Sequence, residues 1–235
     1  MKLEAAIKHF SPKSQIINDS PRSTSSNTLT SSDIAAALGI AEAQASFGIS
    51  AYLGKHGVSN EDRIRAVAQL TQYAKQQAPK HVGKAAGKRL AQCMAILAKL
   101  AYTEYSGSAA STYTCSDCRG GGFLIDNEGM KRLCKPCNGK GSVSNRCRCN
   151  GTGKVLDREK TKTNGYLVIK VCKRCAGRGY KRVPASVAYA AISVLLPKLT
   201  QSTWSRNWKP FYESLVTKCY VEESKANTVF NEITA

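Results

Sequence analysis

Cys115-Ser-Asp-Cys118-Arg-Gly-Gly-Gly122, Cys134-Lys-Pro-Cys137-Asn-Gly-Lys-Gly141, Cys147-Arg-Cys149-Asn-Gly-Thr-Gly153 and Cys172-Lys-Arg-Cys175-Ala-Gly-Arg-Gly179 repeat one pattern four times. Three copies read C-x-x-C-x-G-x-G. The third is shortened to C-x-C-x-G-x-G, with Arg146 where its first cysteine would fall. Two cysteines three apart can turn both thiolates toward one ion, and tetrahedral zinc takes four ligands, so two knuckles must meet around each ion. Eight thiolates thus predict two zinc sites. A redox C-x-x-C would need neither four copies nor the glycines, which permit the tight turn and close backbone approach. Each site has four soft ligands and no open position, and His9, His56 and His81 all lie elsewhere, so the zincs read as structural rather than catalytic.

Outward from this stretch the composition changes. Residues 111–183 hold eight of the ten cysteines and 11 of the 18 glycines, with 17 Lys and Arg against 5 Asp and Glu. The whole chain of 235 residues carries +19, so most of its excess charge sits in one block. Such a block suits a polyanion, of which nucleic acid is the commonest. Lys131, Arg132, Lys135, Lys140, Arg146, Arg148, Lys173, Arg174, Arg178, Lys181 and Arg182 would face it. Phosphate contact is the favoured use, and an acidic protein surface the alternative. Phe123 and Ile125 ahead of a turn at Asn127-Glu128-Gly129 predict a short hairpin. So do Leu167, Ile169 and Val171 after the turn signal Asn164-Gly165, with Val155 opposite.

The flanks read as helix. Residues 1–32, dense in Ser and Thr between 11 and 32, read as a flexible N-terminal arm. Helices are predicted over about 33–54, weakened by Gly39 and Gly48, over 60–78 behind a Ser59 cap, and over 83–105. Beyond Arg182 a helix over 185–196, with an apolar face of Val187, Ala188, Ala191, Val194 and Leu195, leads to another over 201–222. Trp204, Trp208, Phe211, Tyr212, Leu215 and Cys219 are its core candidates, and Pro210 either starts or kinks its main part. The fold class is therefore mainly α: a helical body (33–110 and 184–235) interrupted by a zinc-binding insertion of short β-hairpins (111–183). The tandem C-terminal helices suit a helix-turn-helix, or equally a plain helical hairpin. In the first case Ser205, Arg206, Asn207 and Lys209 could reach bases or phosphates. No apolar run approaches the ~18 residues of a membrane span, and Met1–Phe10 lacks a secretory signal. The expectation is a soluble protein of a reducing cytoplasm, where cysteines bind metal rather than pair as disulfides. No cluster of His and carboxylates points to an enzyme.

Two resemblances follow from quoted residues. The repeated C-x-x-C-x-G-x-G resembles the cysteine-rich region of DnaJ-type co-chaperones. That resemblance implies one zinc on Cys115, Cys118, Cys172 and Cys175 and another on Cys134, Cys137, Cys147 and Cys149, with binding of unfolded proteins as the weaker functional reading. No His-Pro-Asp tripeptide accompanies it. The flanks resemble the Q-type late-gene antiterminators of lambda-like phages. They do so at Ser11-Pro-Lys-Ser14, Asp19-Ser-Pro-Arg22, Ala45-Ser-Phe-Gly48, Gly54-Lys-His56 and Pro184-Ala-Ser186. The likeness continues at Leu199-Thr-Gln-Ser-Thr-Trp-Ser-Arg206, Lys209-Pro210 and Glu222-Glu-Ser224. That family carries only the outer pair of knuckles, so the second and third repeats read as an insertion. The resemblance implies a non-enzymatic protein that binds double-stranded promoter DNA. It would engage bacterial RNA polymerase with its sigma factor at a promoter-proximal pause, and sit by nascent RNA at the exit channel of the polymerase in the host cytoplasm.

Overall fold

The structure, a computed structural model, describes residues 1–10, 29–125 and 129–235, the first range with side chains as far as residue 7. The Ser/Thr-rich stretch 11–28 and the predicted turn residues Asn127 and Glu128 lie outside the described residues. The chain divides into two compact units, Met1–Ser106 with Pro184–Ala235, and Gly107–Val183.

The first unit is helical. Helix α1 (Leu3–Phe10) occupies part of the segment read as a flexible arm: Leu3 and Ala6 are buried beside Ala226 and Phe230. Helix α2 (Ser31–Lys55) starts two residues earlier than expected because Thr30 caps it. Its hydroxyl accepts from the Asp33 N–H (3.3 Å) while the Asp33 carboxylate accepts from the Thr30 N–H (2.8 Å). Helix α2 has the length and composition of a membrane span, with a window of mean hydropathy 1.3, although Asp33, Glu42 and Gln44 interrupt its apolar run. Its apolar residues are used in packing: Ile34, Ala41 and Ile49 are buried in one core cluster with Phe230. Gly48 does more than weaken α2. A Cβ there would stand 2.1 Å from the Glu222 carbonyl, so the glycine sets how closely two helices cross.

Helix α3 (Asn60–Gln77) begins at the Ser59 cap. The single helix expected over 83–105 is broken into α4 (Lys80–Ala86), a 3₁₀ turn (Gly87–Arg89) and α5 (Leu90–Tyr105), since Gly87 adopts φ +50. Helix α7 (Ala185–Leu195) buries Ala188 and Ile192, whereas Val187 and Val194 are exposed, so the expected apolar face is rotated. After residues 196–200 come one α-turn, α8 (Gln201–Thr203), and a π-helical turn over Trp204–Trp208. They lead into α9 (Lys209–Ile233), which Pro210 starts rather than kinks. It outruns the predicted end at 222 because Ala226 and Phe230 are buried with α1 and α2. Leu70, Leu97, Ile192, Trp208 and Leu215 anchor the larger core of this unit.

The described residues of the second unit carry six three-residue strands. Antiparallel β1 (Thr112–Thr114) pairs with β4 (Ser142–Ser144), β2 (Phe123–Ile125) with β3 (Lys131–Leu133), and β5 (Lys154–Leu156) with β6 (Ile169–Val171). Val155 lies opposite Lys170. Asn164-Gly165 is not a hairpin turn: Asp157 caps a short helix α6 (Arg158–Asn164), and Gly165 ends it in the left-handed region at φ 73. Strands this short hold little by themselves, and the cysteines supply what they lack.

Candidate metal centres and nucleic-acid face

All eight repeat cysteines fall into two foursomes whose Sγ atoms lie within 4.8 Å of one another. The membership differs from that implied by the DnaJ resemblance. Cys115 and Cys118 meet Cys134 and Cys137, and Cys147 and Cys149 meet Cys172 and Cys175. Consecutive repeats pair, the first with the second and the third with the fourth. The sequence held a signal for this. Partners are 19 residues apart in the first foursome and 25 or 26 in the second, and shorter loops cost less entropy to close. The shortened knuckle Cys147-Arg-Cys149 still delivers both of its thiols.

The geometry fits a tetrahedral ion. Four thiolates about 2.3 Å from one centre stand about 3.8 Å apart. Here Cys115 and Cys134 are 3.7 Å apart, Cys118 and Cys137 3.6 Å, Cys147 and Cys172 3.9 Å, and Cys149 and Cys175 3.8 Å. The chain can therefore hold two metal ions, each among four sulfurs.

The glycines explain themselves in the same frame. The last glycine of one repeat lies against the first glycine of its partner: a Cβ on Gly153 would be 1.9 Å from the Gly177 carbonyl, and one on Gly141 2.2 Å from that of Gly120. The N–H of that last glycine also points at sulfur, from Gly122 to Cys118 (3.2 Å), Gly153 to Cys149 (3.3 Å) and Gly179 to Cys175 (3.3 Å). Burial opposes ionisation of Cys118 and Cys149, but these N–H groups and the facing thiols outweigh it and bring both to about 7. Burial, with its neighbouring thiols, pushes Cys134 up to about 12. Cys93 and Cys219, outside the repeats, are buried among the helices of the first unit.

The residues proposed to face nucleic acid fall in both units. Trp204 and Trp208 stack with ring centroids 6.4 Å apart, and both are buried, as core residues rather than base-stacking platforms. The π-turn between them leaves Ser205 and Arg206 exposed and Asn207 half-buried. Nothing in the period of the sequence signals that turn. Lys209 is exposed, 4.0 Å from Glu213. In the second unit Lys173, Arg174, Lys181 and Arg182 are exposed, while the Arg178 side chain bends back to donate to the Cys175 carbonyl (3.2 Å).

The fold and the site define a class of mainly α proteins whose helical body is interrupted by a cationic unit holding two foursomes of cysteines. The comparisons make the class specific. The family described as Antitermination protein Q matches residues 23–109 and 141–227. Antitermination protein Q of Salmonella phage P22 and that of Escherichia phage lambda are each 40% identical over 237 residues, covering all of both chains. A prophage antitermination protein Q homolog of Escherichia coli K12 is 34% identical over 251 residues, again over both full lengths. The chain belongs to the antitermination protein Q family. The stretch that the family match leaves out, 110–140, holds the first repeat and the second as far as Lys140. All four cysteines of the first foursome fall in that stretch.

Proposed function

We propose that this chain is a non-enzymatic late-gene antiterminator of a lambda-like phage, working in the cytoplasm of the bacterial host. It binds double-stranded promoter DNA, joins RNA polymerase and its sigma factor at a promoter-proximal pause, and keeps the polymerase reading through terminators, beside nascent RNA at the exit channel. The observation that carries this reading is full-length likeness to proteins named for antitermination. The exposed Ser205-Arg206 pair supports the DNA-binding part. It lies just beyond a five-residue connection after α7, at the N-terminal end of the second helix of a pair, where a helix-turn-helix reads the major groove. Ser205, Arg206, Asn207 and Lys209 are assigned to bases and phosphates. Lys173, Arg174, Arg178, Lys181 and Arg182 are assigned to the phosphate backbone, which supplies most of the affinity in such complexes.

Zinc is the metal proposed for both foursomes, because four thiolates in a tetrahedron suit it best among the common divalent ions. Its role is structural: it holds the knuckles so that the short strands can pair. The chaperone reading rests on the repeat pattern alone, and the relatives that match the full length do not carry that name.

Transcription in vitro tests the proposal. Purified protein and sigma-containing polymerase are supplied with a template carrying the DNA just downstream of this reading frame and then a strong intrinsic terminator. Readthrough that depends on the promoter-proximal sequence is expected. Its absence, with host factors also supplied, would overturn the reading.

A further inference from the structure

The backbone of the second unit repeats itself. The Cys115 N–H donates to the Gly141 carbonyl (2.8 Å) as that of Cys147 does to Gly179 (2.9 Å), and Cys134 donates to Gly122 (2.9 Å) as Cys172 does to Gly153 (2.8 Å). The described non-glycine residues with positive φ are four, and they fall at matching positions, Arg119 with Asn150 and Asn138 with Ala176. The first half closes on itself, with Thr112 paired to Ser144. The chain enters it at Ser111 and leaves the second half at Lys181, and both meet at Asn145. The Asn145 N–H donates to the Ser111 carbonyl (2.8 Å), and the Lys181 N–H donates to the Asn145 carbonyl (2.9 Å). The stretch 110–140 that the family match omits takes in all of this first half but Gly141 and β4.

The strands of the two halves differ: Phe123 stands where the second half has Lys154, and Lys131 where it has Ile169. Cysteines and glycines recur because the ion and the backbone crossings require them. Two cations recur with no such demand on them. Lys135 follows Cys134 as Lys173 follows Cys172, and Lys140 stands between Gly139 and Gly141 as Arg178 does between Gly177 and Gly179. The backbone sets the second pair alike, the Lys140 N–H donating to the Cys137 carbonyl (3.0 Å) and the Arg178 N–H to that of Cys175 (3.1 Å). Lys135 and Lys140 are exposed, and neither 134–141 nor 172–179 contains an Asp or Glu. An exposed lysine does nothing for the turn that carries it, so charge at the same two places in both halves points to a shared partner.

Resting on the DNA-binding part of the function proposed above, we infer that residues 111–144 are a tandem copy of the 145–181 module that adds backbone-phosphate contacts to duplex DNA through Lys135 and Lys140. The knuckle that carries them exposes Lys135, Pro136, Asn138 and Lys140. It offers no large apolar side chain to form the centre on which a protein interface is built. Lysines and asparagines without such a centre are the groups that hold phosphate oxygens, and they do so whatever the base sequence. The second copy thus lengthens the hold on the duplex and leaves the reading of bases to the first unit.

The test uses the full-length, zinc-loaded chain in three variants: Lys135→Ala with Lys140→Ala, Lys135→Arg with Lys140→Arg, and Lys173→Ala. Affinity for duplex promoter DNA and for a duplex of unrelated sequence is measured at several salt concentrations, beside affinity for single-stranded RNA and for polymerase holoenzyme, and zinc per chain is counted. The alanine pair should weaken binding to both duplexes severalfold and lower the salt slope by about two. The arginine pair should keep the wild-type slope, and both should keep the wild-type zinc content. A wild-type slope in the alanine pair, while Lys173→Ala lowers its own, overturns the inference and leaves the proposed function standing. Lost zinc in the alanine pair, or equal weakening by the arginine pair, also overturns it, since the lysines would then serve the fold. So does weakened binding to RNA or to polymerase with duplex affinity intact. A wild-type chain that binds no duplex overturns both.

Discussion

Gly48 of α2 lies against the backbone of α9, with the space for a Cβ already taken by the Glu222 carbonyl at 2.1 Å and the Ala226 Cβ at 2.7 Å. Gly39, on the same helix, has nothing within 4 Å of that position. The two glycines therefore respond oppositely to one methyl group. Gly39→Ala should stabilise the chain by about 0.5–1 kcal/mol, the helix-propensity difference. Gly48→Ala should destabilise it by about 1–3 kcal/mol, the usual cost of overpacking. Urea unfolding of both variants checks the pair. Equal shifts of the same sign would show that helix propensity alone governs Gly48.

The pairing of thiols can be read by counting metal. Cys115→Ser with Cys134→Ser removes two ligands of one foursome, so the double variant should bind one ion per chain in place of two. Cys115→Ser with Cys147→Ser cuts into both foursomes and should leave neither intact. The pairing implied by the co-chaperone resemblance puts Cys115 and Cys134 in different sites and predicts loss of both ions from the first variant. Metal analysis after gel filtration distinguishes the two. A strong chelator should melt the 107–183 unit while far-ultraviolet helical signal persists, because no ligand cysteine belongs to either helical core cluster.

Asp33 offers a pH-dependent readout of the α2 cap. Side-chain and backbone hydrogen bonds from Thr30 hold its carboxyl below the usual value of 3.8. A carboxyl with a depressed folded value adds stability that is present above its unfolded pKa of about 3.9 and is lost as pH falls through the folded one. Thr30→Ala should return the Asp33 titration, followed by carbon-detected NMR, toward the unperturbed range. At neutral pH it should cost about 1 kcal/mol of stability, the worth of an N-cap. An unmoved titration curve would mean that the bonds seen here do not persist in solution.

Arg206→Ala should weaken binding to promoter DNA by about tenfold or more if the guanidinium reads a base, and relax preference at that position. Lys173→Ala should instead weaken all sequences alike and lower the salt slope by about one ion. Both variants should keep two metal ions, since neither residue is a ligand. Fluorescence anisotropy at several salt concentrations separates the two kinds of contact. Wild-type affinity in Arg206→Ala removes it from the interface.

Much of this was legible in the residues. The four knuckles, their glycines and the helical flanks follow from spacing, and Trp204, Trp208, Phe211, Tyr212, Leu215 and Cys219 are all buried as their period requires. What escaped has physical causes. The partition of eight equivalent thiols is decided by loop length and strand register, which a motif does not contain. Periodicity does not fix the face of α7, because nearly every position from Val187 to Leu196 is apolar and nothing local sets Ile192 apart from Val194. The π-turn at Trp204–Trp208 depends on two indoles sharing one core, a tertiary demand that local propensity does not reveal. Gly48 looked like a flaw in a helix because its partner, Glu222, lies 174 positions away.

The contact between α1 and α9 has a consequence for the order of events during synthesis. The amino group of Met1 donates to the Thr234 hydroxyl (2.7 Å), and the Leu3 N–H to the Asn227 side chain (3.1 Å). The core shared by Leu3, Ile34, Ile49 and Phe230 thus waits until α9 has left the ribosome. Residues 107–183, whose contacts are local, have emerged well before then. Contacts of short range form first as a rule. The cysteine unit can load its metal while the helices around it in the chain are still unfinished, so metal starvation should act on the nascent protein before it acts on the finished one.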